Sequence, residues 1–270
     1  MLRFSSLGRP IAPWHPATAW ALAACSTVFV TTSLAHGLGS GFRGAVAVFL
    51  AWAITRELAP KRALASALAP FAGVAFAIPA DTDLRACFAA LLAARIAART
   101  VGDPITRLDV VSLTVLCAWF AQHPAGLPVA LVLAAVVFAD GPPRRARVAG
   151  VLALAAAIGV GALEGTLTLR PGWDDVAVPG QVLITIAGAA TAWLVVAPLP
   201  ARLRTRDDRR RGHLSGDRIR TARVVALAGV LAAVAWVGLD GVFALSSASA
   251  ALLAAGLGGA TARAAGDTAS

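Results

Sequence analysis

Few side chains in this sequence are placed to do chemistry, and the most telling is an acid inside an apolar run. Glu164 is the seventeenth residue of the segment Val148–Leu169. An ionisable group costs about 2.5–3.5 kcal/mol at the centre of a bilayer on insertion scales and less toward its edge, so it is kept neutral, paired or turned to water. Glu164 is therefore a candidate coupling carboxylate for a proton or a cation. The plainer reading is an acid among the outer headgroups, paired with an outer arginine.

A second constellation is basic. Arg95 and Arg99 stand four apart, on one face of a helix. Arg107 follows across the connection that holds Asp103-Pro104. Guanidinium groups so spaced are candidate anion or phosphate contacts, because the planar fork donates two parallel hydrogen bonds to such a group. The plainer reading is charge retained on one side of a membrane, with an ion pair to Asp103 or Asp109.

Other motifs are weaker. Glu57-x-x-Pro60-Lys61-Arg62-Ala63 returns 83 residues later as Asp140-x-x-Pro143-Arg144-Arg145-Ala146, either an internal repeat or a common charged turn. Asp174-Asp175 and Asp207-Asp208 are each half of a metal–diphosphate motif and lack the second acid. The glycine-rich run at 37–44 follows an apolar segment rather than a strand, so it is no nucleotide cradle. His36 and His123 fall at segment ends, apart from other ligands. Cys25, Cys87 and Cys117 all lie in apolar segments, with no metal or disulfide spacing. No motif calls for a metal or a cofactor.

The elements that must position these residues are apolar helices. Of the 270 residues 58% are hydrophobic and 14% charged, with a mean hydropathy of +0.75. Globular chains carry nearer a quarter charged residues. Ten segments emerge: Thr18–Ala35, Gly44–Leu58, Ala63–Ala80 (with Pro70 inside), Leu84–Val101, Val110–Gln122, Leu127–Ala139, Val148–Leu169, Gly180–Ala197, Ala222–Leu239 and Val242–Gly259. About 20 residues cross a hydrocarbon core of roughly 30 Å. The fourth, fifth and sixth are short, and the fourth could instead lie in the interface as an amphipathic helix. Ser33-Leu34-Ala35 leaves a signal-cleavage reading open for the first.

Charge sets the direction. Between the eighth and ninth segments, Arg202–Arg223 holds nine arginines, which resist translocation and stay in the cytoplasm. Ten crossings then put both termini and 21 of the 24 basic residues inside, leaving only Arg43, Arg85 and Arg170 outside. Eight crossings preserve the same parity. All seven tryptophans lie near segment ends, as an aromatic belt requires. The expectation is an all-α, polytopic protein of the cytoplasmic (inner) membrane with about ten helices. Its parts are a cytoplasmic lead-in at 1–16, one helical domain at 17–259 with the basic loop at 202–223, and a disordered tail at 260–270.

A net charge of +10 does not indicate nucleic acid here, because the arginines sit in short connections rather than on a soluble basic face. The expected partners are the lipid bilayer and anionic lipid headgroups at Arg202–Arg223. Ten short helices match small secondary carriers in size, so a transporter or permease-like protein is the leading expectation. A membrane-embedded enzyme on a lipid or polyprenyl phosphate, and a non-catalytic assembly subunit, are the alternatives.

Overall fold

The computed structural model describes residues 16–60, 62–77, 82–99, 106–140, 144–168, 188, 202–206 and 213–264. Its elements are α1 (Pro16–His36), α2 (Leu38–Leu58), α3 (Ala63–Ala77), α4 (Leu84–Ala98), α5 (Arg107–Phe120), α6 (Gly126–Ala139) and α7 (Arg144–Leu163). They continue with β1 (Arg202–Arg206), β2 (His213–Ser215), α8 (Gly216–Val237), α9 (Asp240–Ala244) and α10 (Ser246–Ala264). Among the described residues four helices are long and apolar enough to cross a membrane: α1, α2, α7 over 146–163, and α8. The eighth apolar segment, Gly180–Ala197, apart from Gly188, and the acid pair Asp174-Asp175 lie outside the described residues, as does Asp103.

Several expectations change. The basic connector is not simply a loop: β1 pairs antiparallel with β2, from Arg202 opposite Ser215 to Arg206 opposite His213. Its last part, from Gly216, is already the first two turns of α8, so the described residues, otherwise helical, include one small hairpin. The final segment is interrupted at Leu245, between α9 and α10. The expected tail begins as helix, since α10 runs to Ala264.

The fourth segment is not a surface helix. α4 is enclosed almost all round, with Ala86, Cys87, Ala89–Ala94 and Ile96–Ala98 buried. A helix with small apolar residues on every face has no side to give to water and can be surrounded closely. α4 packs against α2, α6 and α8, while α1 lies on α2, α3 between α2 and α10, and α5 and α6 on α7. Alanine sets these distances. At Gly150 of α7 a Cβ would stand 2.6 Å from that of Phe138 on α6, so only glycine admits the approach.

Helix ends follow local chemistry. Thr106 caps α5 in a capping box with Asp109, which satisfies two backbone donors that the first turn would leave unpaired. Asp83 caps α4 by accepting from the N–H groups of Arg85 at 2.9 Å and Ala86 at 3.3 Å. Arg99 closes α4 in the left-handed region, φ 48°. Gly165, with a φ of 68°, lies in the turn that ends α7.

The outside of the bundle is apolar. α1 exposes Trp20, Leu22, Phe29, Val30 and Leu34, and α7 exposes Val151, Leu152, Leu154, Ile158 and Leu163. Faces of this kind suit a lipid surrounding and not water.

Candidate functional site

Two polar layers cross the bundle, one at each end of α4. At the basic end, Nε of Arg95 lies 3.0 Å from Oε1 of Glu57 at the end of α2, and the Glu57 side chain is 1% exposed. One turn further along α4, Arg99 grips Asp140 at the end of α6, with Nε at 3.0 Å and 3.3 Å and Nη2 at 3.0 Å from the carboxylate oxygens. Nη1 of Arg218 on α8 reaches the same carboxylate at 3.2 Å. The wholly buried Arg223 donates from Nε to the carbonyl of Leu58 at 3.0 Å. These are charge-assisted bonds, and they tie α2, α4, α6 and α8 together.

The two recurring turns thus converge. Glu57 of the first and Asp140 of the second hold arginines one turn apart on the same helix. The spacing of Arg95 and Arg99 was legible from the chain; among the described residues the carboxylates they meet are these distant acids, while Asp109 is engaged with Thr106. Arg107 is exposed in the first turn of α5 and joins neither pair. Beside Asp140 a cleft of about 470 Å³ opens between α6 and α8 over a floor at Ala97 of α4.

At the far end, α4 begins where α9 gives way to α10. The N–H of Asp83 donates to the carbonyl of Ala244 at 3.0 Å, and the hydroxyls of Thr82 and Ser246 meet at 2.9 Å. Cys87 points its thiol at the same Ala244 carbonyl, and Ser247 donates to the carbonyl of Ala47 at 2.8 Å. Oδ1 of Asp83 is occupied by the cap. Oδ2 is shielded from solvent and lies 2.9 Å from Nδ1 of His123 in the α5–α6 turn. The two atoms are in close contact without the alignment of a hydrogen bond. Arg85 stands beside them, over the ring of Trp119 and 3.4 Å from Gln122.

This junction lies well inside the bundle. Gly241 of α9 packs on the backbone of Ala233 in α8, four residues short of the end of that helix at Val237. Ala244, where Asp83 binds, is three residues deeper. At 1.5 Å per residue the junction is about 10 Å below the far end of α8. Counted from the other side, Asp83 is sixteen residues from Arg99, about 24 Å along α4.

Glu164 falls elsewhere. α7 ends at Leu163, and Glu164 is an exposed residue of the following turn, its N–H bonded to the carbonyl of Val160. That turn is pinned by Thr166, which donates to Ala121 at 2.8 Å and accepts at its carbonyl from Trp236. The sequence pointed to one acid in an apolar run, Glu164. Glu57, Asp109 and Asp140 are enclosed elsewhere in the bundle, and the acid at the α9–α10 interruption is Asp83, whose side chain is 7% exposed. Its position directly before an apolar helix was readable as a cap signal. That His123 would come to it, across a 40-residue separation, was not.

A predominantly helical chain with, among its described residues, four apolar helices of spanning length and an apolar exterior is compatible with a membrane protein. Comparison with family models, with curated proteins and with solved structures finds no match to this chain.

Proposed function

We propose that this chain is a permease-like carrier of the cytoplasmic membrane, and that Asp83 is its coupling carboxylate. In this reading it crosses the bilayer ten times, with Gly180–Ala197 and the interrupted α9–α10 counted once each. The basic end of the bundle and both termini face the cytoplasm, in keeping with the retention of arginine on that side.

The observation that carries the reading is the Asp83–His123 pair at an interrupted helix, about 10 Å inside the bundle. A buried carboxylate at membrane depth is costly unless it is used, and carriers build their sites where helices break and half-helix ends meet. α4, α5 and α6, with 15, 14 and 14 residues, span only about 21–22 Å. In a hydrocarbon core of about 30 Å they stop short on the outer side. His123, 56% exposed at the bottom of that recess, then has a path to the outer solution while Asp83 stays enclosed. Glu164, exposed outside the recess, has no comparable enclosure. The lipid-enzyme alternative has less support, since Arg95 and Arg99 are each already engaged by a carboxylate.

The test is proton movement in proteoliposomes holding a trapped pH dye, challenged with a panel of organic cations, carboxylates and amino acids. One class is expected to move protons through the native chain and Glu164→Gln, and none through Asp83→Asn at equal folded amount. Loss in Glu164→Gln with Asp83→Asn unaffected would reassign the carboxylate. No response to any class would remove the carrier reading.

A further inference from the structure

The cleft beside Asp140 has walls and a mouth of different chemistry. Ala135, Val136 and Ala139 of α6 face Val225 of α8, with Ala97 of α4 beneath them, and Asp140, Asp217, Arg218 and Thr221 stand at its opening. From Asp217 to Val225 it follows α8 for two turns, about 12 Å. Its volume of about 470 Å³ is that of a ligand site, and its inner part offers no polar partner among the described residues. Whatever fills it is therefore apolar at one end.

The opening favours an anion. Arg99 and Arg218 flank the single carboxylate of Asp140, and Arg220 lies 3.6 Å from Asp217. Arg218 gives Nη1 to Asp140, keeps 37% of its side chain exposed and lines the cleft at its opening. Three arginines thus stand against two acids. Oxygen anions are also favoured near the first turn of a helix, here that of α8.

We infer that this cleft binds one anionic phospholipid, an acyl chain between α6 and α8 and the phosphate at Arg218. A free phosphate would leave the apolar walls unfilled, and a zwitterionic lipid would bring a cation to an opening already rich in arginine. The inference rests on the chain lying in a bilayer and not on its moving a solute.

The experiment is native mass spectrometry of the full chain in mild detergent, titrated with dioleoylphosphatidylglycerol or dioleoylphosphatidylcholine. One phosphatidylglycerol is expected to be retained, with an affinity on the order of tenfold above phosphatidylcholine. Arg218→Gln should remove that preference and leave the weaker binding. Ala139→Phe, which fills the cleft from an exposed position, should weaken both lipids. Millimolar inorganic phosphate or glycerol phosphate should not displace the lipid. Should Ala139→Phe fail to fold, Ala135→Phe fills the same wall. Equal retention of the two lipids, an unchanged preference in Arg218→Gln, or displacement by phosphate alone would each overturn the inference. A chain that binds lipid in this way but moves no solute would sink the carrier reading and leave this one standing.

Discussion

Replacing Asp140 by asparagine removes the charge that three helices share. The substitution keeps shape and one acceptor, but leaves Arg99 and Arg218 facing each other without an anion. A unit pair at about 4 Å is worth roughly 4 kcal/mol at an effective dielectric of 20, before desolvation is subtracted. Exposed pairs retain about 0.2–1 kcal/mol, and breaking a buried one costs about 3–5 kcal/mol. Asp140 lies between: its own side chain is 6% exposed, but those of Arg99 and Arg218 are 29% and 37% exposed. A loss of about 2–3 kcal/mol follows for Asp140→Asn, or about 4–12 °C in midpoint at about 2–4 °C per kcal/mol. Arg99→Gln should cost less, about 1–2 kcal/mol, since Arg218 still reaches the carboxylate. Arg218→Gln should cost least, about 0.5–1 kcal/mol, since the two-pronged contact from Arg99 survives. The protein carries its own reporter: Cys87 and Cys117 are buried and react with a thiol dye only on unfolding, above a baseline from the half-buried Cys25. Melting curves of the three variants in one detergent give the order. A midpoint for Asp140→Asn within 1 °C of the native chain, or a larger loss in Arg218→Gln than in Arg99→Gln, would refute the assignment of Asp140 as the shared partner.

Gly150→Ala should cost about 1–3 kcal/mol by forcing α6 from α7, while Gly159→Ala on the same helix meets nothing within 4 Å and should leave the melting curve unchanged or raised. Asp83→Ala removes the cap of α4 and should lower stability by about 0.5–2 kcal/mol, whereas Asp83→Asn keeps a capping oxygen and should fall well short of that; equal losses would mean that the cap is not what holds this end. In the folded protein Cys25 should take up a thiol reagent before Cys87 and Cys117, read by mass spectrometry of the labelled peptides. A reporter fused within 207–212 should be found in the cytoplasm, and one found outside would overturn the orientation proposed above.

What residues alone made legible was the helical class and the sites of charge. Long stretches without charge can satisfy their backbone only as helices when water is scarce, so hydropathy located α1, α2, α7 and α8, although α2 and α8 begin six residues before their apolar runs and α7 starts four and ends six residues earlier than its run. Short segments were harder. Val242–Gly259 reads as one apolar run because Leu245, where α9 stops, is as apolar as its neighbours; what interrupts it is packing of Gly241 on α8 and the meeting of Ser246 with Thr82. Likewise α4 looked weak because arginines follow a short apolar core, and a sequence does not display the acids that neutralise them from α2 and α6.

Pairing was decided only by tertiary structure. Arg95 and Arg99 could be placed on one face from their spacing, since helical period is local. Which carboxylates they meet depends on how α2 and α6 approach α4, and that follows from alanine and glycine contacts spread over the bundle. The same holds for Asp83: its capping role is encoded in the next few residues, while its proximity to His123 exists only because the α5–α6 turn comes down at the depth where α4 begins. Apolar pattern carries free energy residue by residue and so can be read along the chain. Enclosure of a charge is a property of everything around it, and that is assembled only when the helices pack.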